Sequence, residues 1–272
     1  MIELICEEKQ TLKTFTENNL AQASFFWTQL IKNKDIKVNG KKVGEDVTLN
    51  VGDCVRYYLT PKQEEKIAYY TVYEDENILI IDKENGVNSE AVFADLSRKK
   101  GGRCAFIHRI DRNTQGLMAF ALNEETEREL LLAFKEKRVE KKYHARCFGC
   151  FKESHAVLTA YLKKDDSRSL VKVFDEEKLG SEKIVTEYKV LACDGETSKI
   201  EVTLHTGKTH QIRAHFAHIK KPLVGDMKYG DTKRNKEKNA TRQSLVAKTL
   251  SFSFRGNLAY LNGKIFESRF DV

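Results

Sequence analysis

Four consecutive apolar residues, Ile78, Leu79, Ile80 and Ile81, stand between Asn77 and Asp82, and they constrain this chain more than any other short stretch. A run without polar alternation needs both faces covered, as in an interior strand. Further strand signals at 117–122, 143–147, 186–191 and 199–204 can supply the rest of a sheet. In the last of these, Ile200, Val202 and Leu204 alternate with Lys199, Glu201 and Thr203, so one face is apolar and the other polar. Asn123 is placed to cap a helix with Glu124 and Glu125 in its first turn and Lys135, Lys137 and Arg138 in its last, an arrangement that suits the helix dipole. Leu130, Leu131 and Phe134 would face the sheet. Thr209 is placed to cap a helix over 210–219 with Ile212, Phe216 and Ile219 on its buried face. Strands outnumber long helices and connect irregularly, which predicts an α+β domain around a mixed, mostly antiparallel central sheet with flanking helices.

Pro61, the first of only two prolines, opens a polar stretch and predicts a linker over 61–67. Before it, strand signals flank Asn39-Gly40, the strongest short hairpin signal, and 51–57 supplies another strand. Ser24 is placed to cap a helix carrying Phe25, Phe26, Gln29 and Leu30. The expected organisation is a small α+β domain over 1–60, the linker, and a larger domain over 68–272.

Net charge is +7, and between His205 and Lys248 eleven Lys or Arg face three Asp or Glu, a basic stripe that attracts a polyanion. No stretch is apolar enough to span a bilayer and no signal peptide opens the chain, so a cytoplasmic protein is expected. The six scattered cysteines then read as free thiols, and the lone Cys147/Cys150 pair gives no metal site. His210, His215 and His218 crowd one helix without the acidic partner of a zinc-protease motif. Gly207-Lys208-Thr209 lacks the earlier glycine of a phosphate-binding loop, since Val202 stands there.

The chemistry centres on His108-Arg109-Ile110-Asp111-Arg112-Asn113-Thr114-Gln115-Gly116, where a carboxylate lies between two guanidinium groups. Fixed positive charge favours the ionised form, which suits a nucleophile, and a surface ion pair fits the same spacing. Arg213, near the start of its helix and off the apolar face, opposes the positive end of the dipole, so the position asks for an adjacent carboxylate or phosphate.

The nine-residue run resembles the His-Arg-Leu-Asp-Arg-x-Thr-Ser-Gly block of the RluA/RluD-type pseudouridine synthases. Lys141-Lys142-Tyr143 resembles their Lys-x-Tyr block, and 205–213 with 222–226 resembles their Gly-Arg-x-His-Gln-Ile-Arg and Pro-x-x-Gly-Asp blocks. Residues 1–60 resemble the small RNA-binding domain shared with ribosomal protein S four. The resemblance implies an isomerase that converts uridine to pseudouridine with Asp111 as nucleophile, paired with Arg213. It implies that Tyr143 lines the pocket, stacks on the uracil and takes the C5 proton. Arg109 would enter the space left by the everted base, with His108, Arg112, Lys208, His210 and Gln211 at the RNA. Atoms and electrons neither enter nor leave, so no cofactor is expected. Attack at C1′, attack at C6 and a glycal route all remain open. The expected partner is RNA, ribosomal ahead of transfer RNA, with no obligate protein partner and a monomeric chain. Gln115, Lys208 and Asn85 depart from the usual Ser, Arg and Pro, which leaves substrate choice open. Two other classes stay in view. A binding or ribosome-assembly factor would not need Asp111, and a glycosidase would need a second carboxylate flanking the sugar.

Overall fold

A computed structural model of the chain describes residues 1–20, 23–64, 68–165 and 170–272, the side chains of Lys62 and Glu64 excepted. They divide into two units, Met1–Ala68 with Ala94–Lys99, and Tyr69–Phe93 with Lys100–Val272.

The first unit contains β1 (Ile2–Ile5), β2 (Gln10–Thr11), α1 (Leu12–Asn19), α2 (Trp27–Asn33), β3 (Ile36–Val38), β4 (Lys41–Val43), β5 (Thr48–Leu49), β6 (Cys54–Tyr57) and α3 (Pro61–Glu64). An antiparallel sheet runs β1-β6-β3-β4, and Leu12, Phe15, Leu30, Ile36, Val55 and Tyr57 form the core. The β3–β4 turn is Asn39-Gly40, with φ of 49° and 79°, the left-handed pair that a two-residue hairpin needs. The helix expected from Ser24 starts later. A 3-10 turn takes Ala23–Phe25, Phe26 precedes α2 without a side-chain cap, and Ser24 Oγ is buried without a partner among the described residues. Sequence patterning missed α1, which Thr11 caps by accepting from the Thr14 N–H. Within the expected linker, Pro61–Glu64 forms a helical turn, because proline suits the first helical position and Thr60 donates to Gln63 Oε1 at 2.9 Å. Residues 65–67 of the expected linker lie outside the described residues.

The second unit is built on β7 (Tyr69–Glu74), β8 (Ile78–Lys83), α4 (Ser89–Lys99, whose last six residues group with the first unit), β9 (Ala105–Phe106), β10 (Gln115–Ala121), α5 (Glu124–Lys135), β11 (Val139–Phe148), β12 (His155–Asp165), β13 (Leu170–Phe174), β14 (Glu182–Cys193), β15 (Thr197–Leu204), α6 (Gln211–His218), α7 (Thr232–Glu237), β16 (Leu245–Phe252) and β17 (Ile265–Glu267). Eleven strands form one sheet in the order β13-β12-β14-β15-β11-β16-β10-β8-β7, with β17 on β16 and β9 on β10. Among the described residues every strand pairing of this sheet is antiparallel except β10 with β16, so the sheet is mixed and mostly antiparallel. Every residue of β8 is buried, as its unbroken apolar run requires.

Asn123 caps α5 by accepting from the Thr126 N–H, with three glutamates in the first turn. Leu130 and Ala133, three apart, are buried, whereas Leu131 is exposed because one residue turns the helix by about 100°. Lys137 and Arg138 lie beyond the helix end, and Lys137 is left-handed. The free-thiol expectation is corrected at one pair. Cys150 and Cys193 form a disulfide with Cα atoms 6.0 Å apart, because β11, β15 and β14 are neighbours and bring their ends together. Among the described residues no helix is long and apolar enough to cross a membrane.

Candidate active site

Asp111 sits on a turn just before β10, and residues 83–89 fasten that turn from behind. Ser89 Oγ donates to Ile110 O at 2.8 Å and accepts from Ile110 N–H at 3.2 Å. Gly86 N–H donates to Arg112 O at 2.9 Å, and Thr114 N–H donates to Asp111 O at 3.0 Å. The fully buried Lys83 donates its ammonium to the carbonyls of Glu84, Val87 and Arg112 at 2.9, 2.9 and 3.1 Å. Burial pulls the Lys83 pKa down to about 7 against the opposing pull of Asp111 and Glu84. Gly116 follows with φ of +115°, where a Cβ would lie 2.4 Å from Ala247 O, so only glycine lets β16 approach this closely.

The guanidinium groups adjacent in sequence are not the ones that hold Asp111. Arg109 pairs with Glu90 at 2.6 Å, and Arg112 Nε donates to Gly86 O at 2.9 Å. Neighbouring side chains on a turn leave the backbone in different directions, so adjacency in sequence does not bring charges together. The cation on Asp111 is Arg213, whose Nη1 donates to Asp111 Oδ2 at 3.0 Å across 102 residues. Asp111 Oδ1 makes no hydrogen bond among the described residues.

Arg213 is buried rather than solvent-facing. Six consecutive residues of α6, Gln211–Phe216, are buried, because the helix packs against β13 and β14 over most of its circumference. Its charge is met twice. Nε and Nη2 donate to Asp226 Oδ2 and Oδ1 at 2.7 and 3.0 Å, a bidentate pair beside the bond to Asp111. Burial depresses the Arg213 pKa, but the two carboxylates outweigh it and hold the group above its ordinary value. Asp226 also accepts from the backbone N–H of Lys228 and Tyr229 at 2.8 and 3.1 Å. Asp226 closes the Pro-x-x-Gly-Asp resemblance at 222–226, which assigns it no such role, and its place beside Gly225 was the available signal.

Thr209 does not cap α6. His210 does so, in the left-handed conformation with φ of 55° and no side-chain cap bond. Its Nδ1 lies 2.8 Å from Tyr229 Oη, which accepts from Val171 N–H at 2.9 Å and so has its own proton to give to the imidazole. Burial lowers the His210 pKa against the pull of Asp111. A neutral ring accepting at Nδ1 carries its proton on Nε2, 3.9 Å from Asp111 Oδ2. Tyr229 also lies under the Arg213 guanidinium at 5.1 Å and carried no sequence signal.

A cavity of about 330 Å³ opens over this ladder, with Asp111, Tyr143, His108, Lys141 and Arg213 in its wall. Tyr143 reaches it from β11, whose register against β16 shifts between Lys142 and Tyr143; such an irregularity re-aims side chains. Burial, reinforced by the Asp111 charge, pushes the Tyr143 phenol up. Two of the expected RNA contacts, Gln211 and His108, line the cavity and are also held from inside the protein. Gln211 is buried and fully hydrogen-bonded inside the protein: its amide donates to Val185 O and Thr186 Oγ1, and its Oε1 accepts from Thr206 and the Lys208 N–H. His108 accepts from Ala119 N–H at 2.9 Å and stacks on Phe134 at 4.7 Å, and burial drives its pKa down to about 3, so it forms neutral wall. Lys208 lines the cavity while paired with Glu182, Arg109 lines it from an exposed position, and Arg112 is exposed outside it. The other α6 histidines have separate partners, Thr186 for His215 and Asp175 for His218.

A model of the RNA pseudouridylate synthase family matches residues 32–218, a span containing Asp111, Tyr143 and Arg213. The ribosomal large subunit pseudouridine synthase C of Vibrio parahaemolyticus is 30% identical over 226 residues, 75% of this chain and 70% of the relative. The tRNA pseudouridine synthase C of the same organism is 33% identical over 186 residues, 61% of this chain and 75% of the relative. The solved structure of human RNA pseudouridylate synthase domain containing 1 has the same fold, with a TM-score of 0.62 at 24% identity over 75% of this chain and 83% of its own. This chain belongs to the RNA pseudouridylate synthase family.

Proposed function

We propose that Asp111 is the nucleophile with which this chain converts uridine to pseudouridine in large-subunit ribosomal RNA, acting as a cytoplasmic monomer. One observation carries the assignment: Arg213 holds one Asp111 oxygen, and the other is unbonded among the described residues, on a carboxylate that lines the cavity with Tyr143. The target base leaves its stack at a cost of a few kcal/mol and enters that cavity, and Arg109, exposed at its edge, is suited to fill the space left behind. Attack by the carboxylate releases uracil from C1′. The walls keep the freed uracil anion in place while it turns, C5 attacks C1′ and expels the Asp111 carboxylate, and the C5 proton is then lost, N1 having taken one up. Tyr143 starts as a phenol packed on the uracil. While the carboxylate is bonded to C1′ its charge is gone, and with it one of the two effects that keep the phenol protonated, so in that interval Tyr143 gives its proton to the freed uracil anion and, as a phenolate, takes the C5 proton once C5 has bonded to C1′. Ribosomal RNA is favoured because the similarity to the large-subunit enzyme extends over more of this chain than the similarity to the tRNA enzyme. The small unit before residue 68 is assigned to RNA binding.

Cellular RNA tritiated at uridine C5 tests the assignment. Native protein releases tritium to water and Asp111→Asn does not. Equal release by both, or none from the native protein, overturns it. Mapping pseudouridine in ribosomal and transfer RNA after incubation identifies the substrate.

A further inference from the structure

A second cavity, about 560 Å³, adjoins the first, and the two share Phe134, Lys141, Leu204 and Gly207 as a common wall. Both volumes fall in the range of about 300 to 1,000 Å³ typical of pockets that enclose a small organic ligand. Lys141 stands in that wall. Its ammonium lies 5.2 Å from the centre of the Phe134 ring, and a Cβ built on Gly207 would be 3.7 Å away from it. It is in no ion pair with a described residue, and burial alone lowers its pKa. A half-buried cation without an acid is costly unless a ligand supplies the anion. Around the second cavity Lys135 and Lys137 also form no ion pair with a described residue, while Phe134 and Phe252 offer aromatic surface. Phosphate-binding cations over aromatic surface are the chemistry of single-stranded nucleotide binding.

We propose that the second cavity seats the nucleotide adjoining the target uridine, and that Lys141 grips the phosphate joining the two. The inference rests on the isomerase reading for the occupant of the first cavity. It assigns recognition of the flanking strand to the end of α5 and the start of β11, apart from the Asp111 ladder.

The test uses the full chain, Lys141→Met, and Lys178→Gln as a reference outside both cavities. The probes are uridine and a fluorescein-labelled oligouridylate titrated from about 50 to 200 mM salt, a range over which phosphate contacts show in the slope. Lys141→Met binds the oligouridylate about tenfold more weakly with a slope shallower by about 0.7, the value for one single-strand phosphate. Its affinity for uridine, which carries no phosphate, changes much less than its affinity for the oligouridylate, and the melting temperature of the RNA-free protein holds or rises, because a cation in no ion pair with a described residue has gone. Lys178→Gln matches the native protein. Native affinity and slope in Lys141→Met overturn the inference, and so does a loss shared equally by uridine or accompanied by a fall in melting temperature. Tritium release by the native protein, scored separately, distinguishes the two failures. Release without a Lys141 effect on binding sinks only the subsite. A Lys141 effect without release supports the subsite and sinks the isomerase reading.

Discussion

Asp226→Asn removes one of the two carboxylates that share Arg213 while keeping side-chain volume. The pair is nearly shut off from water, with Arg213 6% and Asp226 1% exposed. Asp226 oxygens face Nε–H at 2.7 Å and Nη2–H at 3.0 Å, so in either amide orientation an Asn NH₂ confronts a guanidinium donor. Removing one partner of a buried pair costs about 3 to 5 kcal/mol. Asp111 keeps its 3.0 Å bond to Nη1, which favours the lower end of that range. At about 2 to 4 °C per kcal/mol for a domain of this size, a loss of about 3 kcal/mol lowers the melting temperature by about 6 to 12 °C. Scanning calorimetry of the full chain at neutral pH measures it on the transition of the larger unit. The pH dependence is a second check. Burial pushes the Asp226 pKa up, but Arg213 and the two backbone N–H groups outweigh it and hold the carboxyl below its usual range. A depressed carboxylate contributes stability that is complete above the unfolded value of about 3.9 and is lost as pH falls through the folded value. The gap between native and variant therefore stays constant down to about pH 4 and narrows in stronger acid. A difference under about 2 °C at neutral pH, or a gap that persists unchanged in acid, refutes the reasoning.

Lys83→Met leaves the carbonyls of Glu84, Val87 and Arg112 without their donor, and it loosens the turn that presents Asp111. In the tritium assay kcat falls more than KM rises; the reverse split would show that Lys83 serves binding instead. Asn123→Ala removes the α5 cap at a cost of about 1 kcal/mol, read as a lower melting temperature with unchanged tritium release. Reduction of Cys150–Cys193, which closes a separation of 43 residues, lowers stability by up to about 4 kcal/mol, and Cys150→Ser is insensitive to reductant. Equal melting with and without dithiothreitol in the native protein contradicts that expectation.

Features set by near neighbours were legible before any coordinates. Asn39-Gly40 adopts two left-handed conformations because few other pairs can, and Asn123 caps α5 because its acceptor reaches an N–H three residues on. Ile78 to Ile81 declare an interior strand by having no polar face. The site was legible differently. Its aspartate, arginine and tyrosine stood out through the order of sequence blocks, whereas local charge pointed to Arg109 and Arg112, which turn away to Glu90 and Gly86. Asp226 and Tyr229 had no periodic or capping signal, because their meaning comes from the α6 side chains packed against them. Gln211 also braces the interior, a role that depends on which backbone groups of β14 and the preceding turn need partners. The disulfide was hidden by the compartment argument and by strand order, which no spacing of cysteines reveals.

The position of β16 bears on how the protein comes into being. That strand is bonded to β11 on one edge and to β10 on the other, and among the described residues no other strand joins the two flanks of the sheet. Asp111 belongs to the β10 flank, while Tyr143 belongs to the β11 flank, as does the β14 surface against which Arg213's helix packs. Translation proceeds from the N-terminus at about 5 to 20 residues per second, so everything before Leu245 emerges as two half-sheets awaiting their keystone. A nascent chain stalled there carries every residue of the proposed site but lacks the strand that brings them face to face, so competence arrives in one late step.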